Sequence, residues 1–109
     1  MKITRDNYEA ARKITRKYVT DMLAEQYGMY NTLDTDTDTF EHIVNTGISV
    51  LETKFPIGLW EGGGFVKAVC NNDLQGAFAN ADSINQKYMK FYVVLIANFS
   101  PNHLPYDKL

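Results

Sequence analysis

A chain of 109 residues is long enough for one hydrophobic core and one compact domain. Its 45% apolar and 22% charged residues, with seven tyrosines, six phenylalanines and one tryptophan, exclude a disordered chain. A net charge of −2 argues against a protein ruled by phosphate contacts, and a single cysteine, Cys70, excludes an internal disulfide or a cysteine-built zinc cluster.

Met1 to Asn7 holds no apolar signal core, and no run approaches the roughly 18 apolar residues that span a bilayer, so a soluble, cytoplasmic protein is expected. From about Asp6 to Tyr27 the residues Tyr8, Ala11, Ile14, Tyr18, Met22 and Leu23 recur three or four apart, which predicts a first helix stopped by Gly28. A polar connection from Asn31 to Thr39 follows. Asp38 with Glu41 three residues on has the form of a capping box for a second helix. Phe40, Ile43, Val44, Gly47, Ile48, Leu51 and Phe55 make its continuous stripe, with Gly47 marking a close helix crossing and Pro56 the end.

Pro56 to Gly64 contains Gly58, Gly62, Gly63 and Gly64 and reads as a loop. Its Leu59 and Trp60 either pack inward or form a binding anchor. Val66, Cys70, Leu74, Ala77, Phe78 and Ala81 return to helical spacing, although Asn71-Asn72-Asp73 and Gly76 leave open whether residues 65–81 are one helix or two. A last helix is expected from about Asp82 to Asn98. It is apolar on nearly every side over Phe91 to Ala97, which marks a central core helix or an oligomer contact. Ser100-Pro101 stops it, and residues 102–109 are read as an extended, flexible tail along the surface. The expected fold is all-α: a compact single-domain bundle of four to five helices centred on the second and last.

Charge is unevenly distributed. Between Lys17 and Lys54 there is no lysine or arginine, while Asp21, Glu25, Asp34, Asp36, Asp38, Glu41 and Glu52 are all acidic. Asp34, Asp36, Asp38 and Glu41 therefore form a candidate acidic surface for a basic partner protein, against the plain reading of a solvated loop. The alternating aspartates begin like a calcium loop, but Thr39 stands where the glycine and Asn45 where the closing glutamate belong, so no metal is expected. On the first helix Arg12 and Arg16, and Lys13 and Lys17, are spaced four apart and make a candidate nucleic-acid face.

No catalytic set emerges. His42 and His103, the only histidines, sit in no nucleophile or metal motif, Cys70 lies on an apolar face, and Gly62-Gly63-Gly64 lacks the lysine and hydroxyl of a phosphate loop. A non-enzyme without cofactors is expected.

Gly63-Gly64-Phe65-Val66, Ala68-Val69, Asn72-Asp73-Leu74, Ala77 and Ala81-Asp82 followed by Asn85 together resemble a family of small proteins carried by bacteriophages and other mobile elements. In that family a Gly-Gly-Phe-Leu start, an Asn-Asp-Leu centre and an Ala-Asp-x-x-Asn end recur. The likeness extends loosely over Leu95 to Pro101 and then departs, because Asn102-His103-Leu104-Pro105 stands where the family continues Cys-Trp-Gly. It implies a helical unit and a mobile-element origin, with no catalytic residues to carry over. With the small size and the acidic segment, it leads to the expectation of a non-catalytic accessory protein that binds a host or phage protein and inhibits a defence system in the anti-CRISPR manner. Two alternatives stand beside it: a nucleic-acid-binding regulator using Arg12, Lys13, Arg16 and Lys17, and a homo-oligomeric structural or small-ligand protein built on the last helix.

Overall fold

A computed structural model describes residues 2–30 and 36–109. Among them there is no strand. The helices run in the order α1 (Tyr8–Tyr27), α2 (Thr37–Lys54), α3 (Gly64–Cys70), α4 (Leu74–Asn80), α5 (Ser83–Lys87) and α6 (Met89–Asn98), followed by 3-10 turns at Pro101–His103 and Pro105–Lys108. The radius of gyration, 13.5 Å, is that of a compact chain of this length. No helix among the described residues is long and apolar enough to cross a membrane.

The two long helices follow their stripes. α1 buries Tyr8, Ala11, Thr15, Val19 and Leu23 and ends where Gly28, at φ 67°, returns its N–H to the carbonyl of Ala24 at 2.8 Å. α2 is the hub, packing against α1, α3, α5 and α6, and buries Phe40, Ile43, Val44, Gly47, Ile48, Val50 and Leu51. Its start lies two residues before the expected one. Asp36, not Asp38, is the cap: its carboxylate accepts the Thr39 N–H at 2.9 Å and the Thr39 hydroxyl at 2.7 Å. Glu41 takes no part in the cap because Arg16 of α1 holds it.

Residues 65–81 form two helices. Asn72 adopts a left-handed φ of 59°, and Asp73 caps α4 by accepting the Gly76 N–H at 2.9 Å. A third break was not expected: the helix over 82–98 is interrupted at Tyr88 (φ −105°, ψ 18°). The interruption buries Tyr88 edge-on against Tyr27 at 5.3 Å and lets the Tyr92 hydroxyl donate to Asn85 Oδ1 at 2.9 Å. Packing of two large rings outweighs local propensity here.

The tail also departs from expectation. Instead of running extended and free, residues 101–109 fold into the two 3-10 turns and place Tyr106, 1% exposed, in the core beside Phe99. The Tyr106 and Thr15 hydroxyls are 2.7 Å apart, and Thr15 also donates to the Ala11 carbonyl. Thus residues 101–109 close over a polar position of α1, and the buried Tyr106 hydroxyl finds its partner there.

Candidate functional site

The polar residues of the Gly63–Asn85 segment are engaged inside the protein. Gly63 caps α3, Asn72 makes the left-handed turn and Asp73 caps α4. Asp82 caps α5 by accepting the Asn85 N–H at 2.7 Å, while the Asn85 side chain accepts from Tyr92. Asp73 and Asp82 are caps, and Asn72 a turn, of the type that favours a short polar side chain.

The acidic candidates are scattered in role. Asp34 lies outside the described residues. Asp36 is held by Thr39, whose hydrogen bonds lower its carboxyl below the usual range, and Asp38 stays exposed in the first turn of α2. Glu41 takes a two-pronged bond from Arg16, at 2.8 and 3.1 Å, which lowers its carboxyl as well. The basic face is divided by the same packing. Arg12 reaches Asn45 at 3.1 Å and Glu52 at 3.4 Å, Arg16 is on Glu41, and Lys17 pairs with Asp21 at 2.7 Å, which leaves Lys13 exposed. α1 and α2 therefore neutralise each other along their contact, where Glu41 and Glu52 of the acidic segment meet Arg16 and Arg12.

Glu52 is the buried member of that contact, with its side chain 6% exposed. One oxygen accepts from the Tyr8 hydroxyl at 3.2 Å and from Arg12. The other has no hydrogen-bond partner among the described residues and lies against the backbone of Gly58. Burial raises its carboxyl above the ordinary value of 4.5, against the downward pull of the Tyr8 hydrogen bond and the Arg12 charge. A carboxyl raised by folding contributes most below its unfolded value and loses that contribution as the pH rises through the folded one. Glu41, lowered by Arg16, works in the opposite sense and loses its contribution in acid. Glu52→Gln should therefore gain in melting temperature relative to the wild type as the pH is raised above 4.5. Parallel melting curves for the two proteins across pH would contradict this.

His42 Nε2 stands 3.0 Å from Asp82 Oδ2 but without the alignment of a hydrogen bond, and no described serine, threonine or cysteine bonds to it. The Cys70 thiol donates to the Val50 carbonyl at 3.3 Å, and burial raises its pKa, which makes it a core residue. The described residues contain no metal-ligating cluster. The Gly62 N–H donates to Thr53 Oγ1 at 2.8 Å, so that amide is not open to an anion.

Among the exposed apolar side chains of the described residues, which also include Tyr27, Tyr30 and Leu109, two features concern the loop before α3 and the surface of α4 and α6. In the loop before α3, Leu59 turns inward onto the core, whereas Trp60 is 60% exposed and rests edge-on against Tyr8 at 4.9 Å. The second feature is not where the helical spacing placed it. Helical spacing puts Leu74 and Phe78 in one set with Val66, Cys70 and Ala77, yet they are 68% and 45% exposed, and Ala77 alone of α4 is buried. The left-handed residue Asn72 resets the helical phase, so α4 turns its small residue inward and its large ones outward. Across from them Val93 of α6 is 50% exposed. Leu74 and Ala77 of α4, Val69 of α3, and Met89 and Val93 of α6 line a groove of about 80 Å³. Met89 and Val93 lie four residues apart on the α6 wall, while Phe78, four residues beyond Leu74, is exposed on α4 outside the lining.

No protein-family model, no curated protein and no solved structure matches this chain.

Proposed function

We propose that this protein is a non-catalytic accessory protein of a bacteriophage or other mobile element that acts by binding a host or phage protein, as an anti-CRISPR-type inhibitor of a defence system does. The observation that carries the binding role is the exposure of Leu74 and Val93 on one groove, with Phe78 exposed one turn further along α4. A soluble protein leaves large apolar side chains together at its surface chiefly where a partner covers them. Trp60 adds a rigid aromatic of the kind that anchors interfaces. The mobile-element origin rests on the resemblance over residues 63–85.

The role is tested by capture on tagged protein from a lysate of the native host, with Val93→Asp and Leu74→Asp baits run beside the wild type. A single protein retained in stoichiometric amount by the wild type and lost on both variants is the expected result. Recovery of nucleic acid alone, or of proteins that bind all three baits equally, would overturn it. Both substitutions lie at exposed positions, so the variants should melt within about 1 kcal/mol of the wild type.

A further inference from the structure

The loop between α2 and α3 is clamped at its two ends and loosely held between them. Pro56 stops α2, Ile57 is fully buried and returns its N–H to the Phe55 carbonyl at 2.9 Å, and the Gly62 N–H is on Thr53 Oγ1. Between these clamps no backbone group of residues 58–61 makes a hydrogen bond among the described residues. The segment is positioned by packing instead: Leu59 on the core, Trp60 edge-on against Tyr8, and the exposed Glu61–Lys67 pair at 3.6 Å. A stretch held in this way opens more readily than the helices around it.

Glu52 lies against that segment. A Cβ at Gly58 would stand 2.6 Å from both Cδ and Cγ of Glu52, so only glycine lets the backbone pass the carboxyl this closely. The two oxygens of Glu52 are unequally supplied. Oε1 accepts from the Tyr8 hydroxyl and from Arg12, whereas Oε2 has no partner among the described residues. Besides Tyr8 and Arg12 of α1, Tyr106 faces the carboxyl from the second 3-10 turn. The neighbouring turns of α2 add no charge, with Ile48, Ser49 and Phe55, and the loop presents Gly58. Arg5 and Glu9 line a hollow with Tyr8, Leu59 and Trp60.

The two protonation states of Glu52 ask different things of the loop. A neutral carboxyl carries its proton on Oε2, the oxygen that no donor faces, and a buried neutral group left against a backbone costs far less than a buried charge. An ionised Oε2 needs a donor, which only water or a displaced backbone N–H can supply. Either one requires Gly58 to move off the carboxyl, and Trp60, two residues on, moves with it.

We infer that Glu52 is a proton-operated latch on the Trp60 loop: the neutral carboxyl seats residues 58–61, and its ionisation releases them and lifts Trp60 off Tyr8. The latch is a property of the loop and holds whether or not Trp60 touches a partner. Burial raises the Glu52 carboxyl above 4.5, so the seated loop is favoured in acid and is released as the pH rises through that higher value.

Trp60 is the only tryptophan, so its indole N–H gives a single NMR resonance that reports on the loop. As the pH of the wild-type protein is raised from about 4 to about 8, that resonance should shift in one transition with a midpoint above 4.5. Its heteronuclear NOE should fall over the same range while far-UV circular dichroism shows unchanged helix. Glu52→Gln, neutral at every pH, should keep the seated signal throughout. Tyr8→Phe keeps the ring and removes a donor that favours the charged form, so it should move the midpoint up by about one pH unit. This variant decides the matter if Glu52→Gln does not fold. Glu9→Gln should leave the transition unchanged. An indole resonance flat with pH, one that titrates equally in Glu52→Gln, one that depends on Glu9, or one that shifts only as helix content falls would overturn the inference. So would a Tyr8→Phe midpoint that is unmoved or lower.

Discussion

Tyr106→Ala should destabilise the protein by about 3–5 kcal/mol, as large aromatic truncations in a packed core do. Here the ring is 1% exposed, lies beside Phe99, and closes over α1 at Thr15. The loss should come from the ring far more than from the hydroxyl. Tyr106→Phe removes one buried hydrogen bond, yet Thr15 keeps the Ala11 carbonyl as a partner, so about 1 kcal/mol is expected. Thermal melts of the two variants separate the contributions, with Tyr106→Ala falling by roughly 15 °C or more on the usual scaling. A Tyr106→Ala protein that melts within a few degrees of the wild type would mean that the tail does not close the core.

Gly47→Leu should be at least as damaging, at about 3 kcal/mol or beyond. A Cβ at this position would lie 2.9 Å from Val19 Cγ1 and 3.0 Å from Leu95 Cδ1, inside the crossing where α1, α2 and α6 meet. Gly47→Ala combines two opposed effects. Alanine gains up to about 1 kcal/mol of helix propensity over glycine, while the contact with a stiff valine forces a shift that costs a similar amount or more. A mild loss is expected for alanine and a severe one for leucine. Val19→Ala should rescue Gly47→Ala, because the two changes share one contact and will not add. If the double variant were as unstable as the sum of its parts, the crossing would not be limited by that contact.

What the sequence disclosed and what it hid follow from how local each feature is. The long helices were legible because their stripes run unbroken and their stops are single residues, Gly28 and Pro56. The break at residues 71–73 was legible as an alternative, since Asn72 and Asp73 are poor helix formers that favour turns. The break at Tyr88 was not, because nothing local disfavours helix there and the cause is the packing of rings across the fold. Residues 102–109 read as tail because Leu104, Tyr106 and Leu109 show no helical period and the partner of Tyr106, Thr15, is 91 residues away. The candidate sites show the same division. Helical spacing put Arg12 and Arg16 on one face but could not reveal that α2 lies alongside with Glu41 and Glu52, which pair with them. Leu74 and Phe78 kept the period of the preceding helix on paper. A single left-handed residue sent them outward, and the apolar groove arose from that change of phase.

The most direct measurement of the central claim is hydroxyl-radical footprinting of the protein alone and in complex with its captured partner, read side chain by side chain. Protection concentrated on Leu74, Phe78 and Val93, with Lys13, Lys17 and Asp38 unchanged, is the result this account predicts. Protection on the α1 lysines or around Asp38, with Leu74 and Val93 still as reactive as in the free protein, would contradict it.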